Sequence, residues 1–349
     1  MSETSILERE IGEQPEALGR TVEGNVKVAE SLARDIAARG VSYVMIAARG
    51  SSDNAGVYAK YLFQAFNGLP VAMATPSLYT FYHRPPRLSN VLVLGISQSG
   101  QSEDIVEVLS EAKRQGVLTA AITADGSSPL AGKADHTLLL HTGKEKAVAA
   151  TKTFSCSLAA IACVSTALEK SQERWSALRG LPEVAAATIK AAAGTAAARA
   201  ERYRYMKRCV VISRGFTYAI AMEIALKLKE LTYITAEPYS SADFQHGPMA
   251  MIEEGFPVVL VAPSGTLLPA MEEFMKGLAE RQAEIIAISD SPDVLRQGAL
   301  QFPLPAKVPE WLTPMIAVMP GQLLAMNLAK AKGLNPDAPR GLHKVTVTR

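Results

Sequence analysis

Residues 43–52 read YVMIAARGSS and residues 209–217 read CVVISRGFT. Each is an apolar, β-branched run that stops at an Arg-Gly pair and hands over to a helical pattern, NAGVYAKYLFQAF (54–66) or AIAMEIALKLKEL (219–231). The likeness extends outward. VLVLGISQSG (91–100) has its counterpart in VVLVAPSG (258–265), and the Asp125-Gly126 that ends AAITADG has its counterpart in the Asp290-Ser291 after EIIAIS (284–289). Arg49-Gly50 with Arg214-Gly215, Ser99-Gly100 with Ser264-Gly265, and Asp125 with Asp290 all stand 165 residues apart. One offset held at three separated places is an internal repeat.

Each half runs strand, helix, strand, helix, strand. Strands apolar on both faces, alternating with helices, belong to a parallel sheet covered on both sides. The predicted fold class is therefore α/β, with two doubly wound parallel-sheet domains in tandem. Residues 1–35 read as a helical N-terminal arm, 36–180 as the first domain and 202–333 as the second. The Ala-rich stretch 181–201 reads as a linking helix. The tail 334–349, with two prolines and no helical period, reads as an extended strap.

Composition limits what the chain can be. Of 349 residues 48% are hydrophobic and 20% charged, enough to fill buried cores. Lys+Arg 36 against Asp+Glu 34 gives a net charge of +2, without the basic excess of a nucleic-acid binder. Cys156, Cys163 and Cys209 are too few for a disulfide framework or a four-cysteine zinc site, and the five histidines show no paired ligand spacing. The start MSETSILERE is no signal peptide, and no run of about 18 apolar residues escapes a charge or a helix breaker. Those readings point to the cytoplasm, with no membrane partner and no metal or other cofactor.

Ligands of open parallel sheets bind beyond the carboxyl ends of the strands. Ser97-Gln98-Ser99-Gly100-Gln101-Ser102 follows one strand and opens a helix, where free N–H groups and hydroxyls suit a phosphate monoester. The alternative is a plain helix cap. Gly50-Ser51-Ser52 lies at the end of the preceding strand and could complete the pocket. Glu223, Lys227 and Glu230, spaced four and three apart, share one face of a helix that is apolar nearly all round. They read as an exposed ion-pair stripe or as a buried functional cluster able to move a carbon-bound proton. His246, on the Gly247-Pro248 turn, is a general-acid candidate or a structural histidine. Lys344 in the tail reads by itself as a surface lysine.

Five ordered motifs, ISQSGQS (96–102), VAATKTF (148–154), ALKLKELTYI (225–234), AEPYSSADFQHGPMA (236–250) and PRGLHKVTV (339–347), resemble the sugar isomerase (SIS) family with its two phosphosugar-binding domains. Within it the chain is similar to stand-alone type II glucosamine-6-phosphate deaminases and to the isomerase half of glutamine–fructose-6-phosphate aminotransferase. The resemblance implies that Ser97, Gln98, Ser99 and Ser102 hold the phosphate, with Ser52 contributing to the sugar site. It implies that Glu230 shuttles a proton between C1 and C2, and that Glu223 and Lys227 set the electrostatics around it. His246 would open the pyranose ring from the neighbouring subunit, so the resemblance implies a homodimer with a shared site. Lys344 would approach the carbonyl carbon and form a Schiff base with a ketose, and the backbone near Val148 would contact the sugar. Ala150, Gln101 and His343 depart from the residues common in the family at those positions.

The implied activity is conversion of glucosamine 6-phosphate to fructose 6-phosphate and ammonia without a glutaminase domain. A fructosyl-amine 6-phosphate deglycase, a galactosamine-6-phosphate deaminase, an isomerising aminotransferase component and a non-catalytic phosphosugar sensor are the alternatives.

Overall fold

The computed structural model describes residues 4–305 and 308–344. Residues 1–3 of the expected arm and 345–349 of the expected strap lie outside them. The chain divides into two compact units. One comprises Glu16–Glu145, Lys152–Pro182 and His343–Arg349, and the other Met1–Pro15, Lys146–Thr151 and Glu183–Leu342.

The first of these units is built on β1 (Tyr43–Ala48), β2 (Val71–Met73), β3 (Val91–Ile96), β4 (Leu118–Thr123) and β5 (His136–Leu139). All pairings are parallel and the order is β2-β1-β3-β4-β5. β1 and β3 run in register over six residues, from Tyr43 opposite Val91 to Ala48 opposite Ile96. Every residue of β3 and β4 is buried, which is why these strands carry no polar alternation. Met45, Ala47, Val91 and Val93 pack against Ile105, Val108 and Leu109 of the helix Glu103–Arg114.

The second unit repeats the plan with β6 (Arg208–Ser213), β7 (Thr235–Ser240), β8 (Pro257–Val261), β9 (Glu284–Ser289) and β10 (Leu300–Pro303). Its order, β10-β9-β8-β6-β7, is the same topology strand for strand. Val210, Ile212, Val258 and Leu260 form its core with Phe244, Phe274 and Met275. On another side the helix Tyr218–Thr232 packs on the helix Thr313–Ala331.

The α/β reading of two doubly wound parallel sheets is correct. The strand inventory was short: three strands per half were read where each sheet has five. The four missed strands, β2, β5, β7 and β10, stand at sheet edges. These edge strands are partly exposed, so they show no continuous buried apolar run. β7 and β10 even contain Pro238 and Pro303, which an edge tolerates. Among the described residues no helix is long and apolar enough to cross a membrane.

Candidate active site

In each sheet the chain reverses direction of winding between its first and third strands, the crevice where doubly wound folds bind ligands. In the β1–β5 unit that crevice is bounded by the turns after β1 and β3. The turn after β1 holds Arg49, Gly50, Ser51 and Ser52. Gly50 has φ +56°, a left-handed conformation, and Ser51 and Ser52 begin the helix Ser51–Asn67.

The turn after β3 holds Ser97 to Ser102. Gly100 sits at φ +63°, where a Cβ would overlap Ser128, so only glycine closes the turn without strain. The Gly100 amide donates to the Ser97 carbonyl and to Ser97 Oγ at 3.2 Å, and the Gln101 amide donates to Ser99 Oγ at 3.2 Å. Ser102 is the N-cap residue of the helix Glu103–Arg114, yet its side chain makes no capping bond. Its hydroxyl lies 3.4 Å from Ser97 Oγ instead. That separates the loop from a plain serine cap.

Sequence reasoning passed over Arg49 as a site residue. Its Nε donates to Asp104 Oδ2 at 2.9 Å, with Asp104 buried and half the Arg49 side chain exposed. The pair cancels a carboxylate in the first turn of the very helix whose N-terminus faces the crevice. Asp53 lies in the same neighbourhood: burial raises its carboxyl, partly offset by the Arg49 charge. The signal was present in the recurrence of Arg-Gly at both repeats.

The counterpart crevice in the β6–β10 unit is differently furnished. There the Ser264 amide donates to Asp290 Oδ1 at 2.6 Å, and the Thr266 amide donates to Glu310 Oε2 at 3.1 Å. Two of the chain's own carboxylates sit where the first unit offers hydroxyls.

The β6–β10 unit carries a charged helix. Helix Tyr218–Thr232 buries Glu223 completely and leaves the Lys227 side chain 1% exposed. Lys227 Nζ stands 3.3 Å from Glu223 Oε1 and 2.5 Å from Glu230 Oε2. Burial by itself would lower the Lys227 ammonium, but the Glu223 and Glu230 carboxylates outweigh it and the net direction is upward. Only Glu230, with its side chain 22% exposed, reaches the surface. The three residues are thus a buried ion-paired cluster and not a solvated stripe.

His246 is exposed and closes the short helix Ser241–Gln245, its amide donating to the Asp243 carbonyl. Gly247 follows at φ +135°. Val148 and Ala150, both partly buried, lie in the irregular segment Lys146–Thr151 of this unit, whose first two amides donate to the Glu10 carboxylate at 2.6 and 3.1 Å. The tail is held in this unit at Arg340, whose amide donates to Tyr233 Oη at 2.6 Å while its guanidinium lies 4.5 Å from the Tyr233 ring centre.

His343 is exposed, and Lys344 belongs to the β1–β5 unit, where its Nζ lies 2.5 Å from Glu145 Oε2. Glu145 was not singled out by the sequence, since a lone glutamate between two lysines looks like a surface residue. Among the described residues no group of three or more His, Cys, Asp or Glu side chains is placed to hold a metal ion.

A tandem of doubly wound domains, one with a serine-rich loop at its crevice and the other with a buried carboxylate–lysine helix, is the class of protein this geometry defines. Residues 40–167 and 203–330 each match the SIS domain, and the chain belongs to that family. It is 34% identical over 365 residues to the isomerizing glutamine–fructose-6-phosphate aminotransferase of Zymomonas mobilis, an alignment covering 98% of this chain and 58% of the relative. The chain thus spans little more than half the length of the curated relatives it matches. A Silicibacter pomeroyi protein described as a candidate phosphosugar isomerase superposes with a TM-score of 0.85 at 33% identity, covering 95% of this chain and 100% of that one. The C-terminal domain of glucosamine-fructose-6-phosphate aminotransferase from Francisella tularensis superposes with a TM-score of 0.86 at 27% identity, covering 97% and 99%.

Proposed function

We propose that the chain is a phosphosugar aldose–ketose isomerase that deaminates glucosamine 6-phosphate to fructose 6-phosphate and ammonia. The observation that carries this reading is the cluster on helix Tyr218–Thr232. Lys227 bridges a sealed Glu223 and a surface-reaching Glu230, which fixes one carboxylate in place with an open side. A proton shuttle between adjacent carbons needs such a group.

The loop Ser97–Ser102 takes the phosphate through hydroxyls and the N-terminus of the helix after it. His246 protonates the ring oxygen as the pyranose opens. Glu230 removes the proton from C2 and returns it to C1, while a nitrogen proton passes to O1. The product is an imine at C2. Water adds to it, releasing ammonia and leaving the C2 ketone. Lys344 attacks that ketone in the reverse direction.

The 34% identity to an isomerizing aminotransferase favours a second reading, in which the same isomerase chemistry runs toward glucosamine 6-phosphate. One experiment serves both. Ammonia and fructose 6-phosphate are measured from glucosamine 6-phosphate, galactosamine 6-phosphate and a fructosyl-amine 6-phosphate, and glucosamine 6-phosphate is measured from fructose 6-phosphate with ammonia or glutamine. Ammonia release from glucosamine 6-phosphate, abolished in Glu230→Gln with binding retained, is the expected result. Release from the fructosyl-amine alone, or turnover by the variant, overturns it. Synthesis without the reverse reaction selects the second reading.

A further inference from the structure

Glu145 is the least expected carboxylate in the β1–β5 unit. Its side chain is 0% exposed, in an irregular segment ahead of the helix Lys152–Glu169. Burying a carboxylate is costly unless it is paired and hydrogen-bonded. Thr153, in the first turn of that helix, donates its amide to Oε1 at 3.1 Å and its hydroxyl to Oε2 at 2.8 Å. Lys344 Nζ reaches the same Oε2 at 2.5 Å. The carboxylate is therefore oriented by Thr153 and met on Oε2 by the tail lysine. The pairing is lopsided. Glu145 is sealed, whereas the Lys344 side chain is 24% exposed.

A lysine that attacks a carbonyl must do so as a free amine, and the chain must both aim it and take its proton. We propose that Glu145 does both for Lys344: it seats the side chain and accepts the ammonium proton. This rests on the reading of Lys344 given above. The step balances as follows. The Lys344 ammonium gives one proton to Glu145. The freed Nζ pair forms a bond to C2 of the ketose as the carbonyl π pair moves to oxygen, which takes a proton from Nζ by way of solvent. The Glu145 carboxylic acid returns its proton to the resulting hydroxyl, which leaves as water, and the iminium forms. Glu145 ends as it began. Thr153 is a positioning residue in this scheme, since its amide and hydroxyl act through the carboxylate.

The test traps the iminium formed from fructose 6-phosphate with cyanoborohydride and locates the reduced adduct by peptide mass spectrometry. Wild type is expected to label at Lys344. Glu145→Gln, which keeps the shape and loses the charge, is expected to label about 10²-fold more slowly, the scale of a lost proton acceptor. Its dissociation constant for fructose 6-phosphate should stay within about 2-fold. Thr153→Val, which removes one hydrogen bond to Oε2, is expected to slow labelling by a smaller factor without altering binding, and it carries the test if Glu145→Gln does not fold. Labelling of either folded variant at the wild-type rate overturns the proposal while leaving the role of Lys344 intact. Absence of any Lys344 adduct in wild type overturns the reading of Lys344 itself, and the proposal with it.

Discussion

Removing the Lys227 ammonium strips Glu223, fully buried in the helix packing, of the counter-charge 3.3 Å away. Deleting one member of a buried ion pair is worth about 3–5 kcal/mol of lost stability, because the other charge remains desolvated. Lys227→Met is accordingly expected to lower the unfolding free energy obtained from a urea titration by that much. Glu223→Gln in the same chain should restore most of it, and additive losses in the double variant would rule out a coupled pair. The thiols provide a second residue-level expectation. Burial pushes Cys156 and Cys209 from 9.0 up to about 12, and Cys163 moves the same way. A raised thiol contributes stability that is whole below pH 9 and is lost as the pH climbs toward 12. An aromatic disulfide reagent at pH 8 should therefore titrate none of the three in the folded protein and all three in denaturant. Fast reaction of the folded chain would show that one thiol opens to solvent. The sequence had placed Glu223, Lys227 and Glu230 on one helix face, because that follows from helical spacing alone. Glu145 was not legible, because its partner Lys344 lies 199 residues away and no local pattern links them; the recurring Arg-Gly marks Arg49 itself, but nothing local points to its partner Asp104, 55 residues away.

At the scale of elements, helix Tyr218–Thr232 holds its charged face only if its apolar side is seated. Gly321, next to Pro320 in the helix Thr313–Ala331, makes room for it: a Cβ there would overlap three side-chain carbons of Ile224, the neighbour of Glu223. An exposed glycine-to-alanine change within a helix gains about 0.5–1 kcal/mol, whereas overpacking a tight core loses about 1–3 kcal/mol. Gly321→Ala is thus expected to be net destabilising by about 1–2 kcal/mol, seen as a lower urea midpoint at unchanged slope. If it stabilises instead, the two helices have slack between them. The same contrast of central and peripheral packing governs what could be read in advance. β1, β3, β4, β6, β8 and β9 announce themselves as apolar runs because both their faces are covered. β7, TAEPYS, is half exposed at a sheet edge and reads as a loop.

Over the whole molecule, the repeat explains why two units of one topology need not do the same work. The crevice of the β1–β5 unit keeps serine hydroxyls at its turn, while the amides of the matching turn in the β6–β10 unit are engaged by Asp290 and Glu310. The cluster proposed for proton transfer sits in the second unit, on the helix that follows β6. What remains to be supplied is a ring-opening acid. His246 is the candidate, yet it is exposed in the isolated chain, poorly placed to act as an acid on a desolvated sugar. A second copy pairing about a two-fold axis would cover the loop and present it to a substrate held by its partner. The expected assembly is a homodimer with an interface above about 2,000 Å². Mixing subunits tests the sharing directly. His246→Ala and Glu230→Gln chains, each inactive alone, are co-refolded. A shared site gives mixed dimers in which one of the two sites has both intact residues, so random pairing should return about a quarter of wild-type activity. No recovery from chains shown to exchange, or full activity of a monomeric wild type, would place His246 outside its neighbour's site and return the ring-opening role to a residue within the chain.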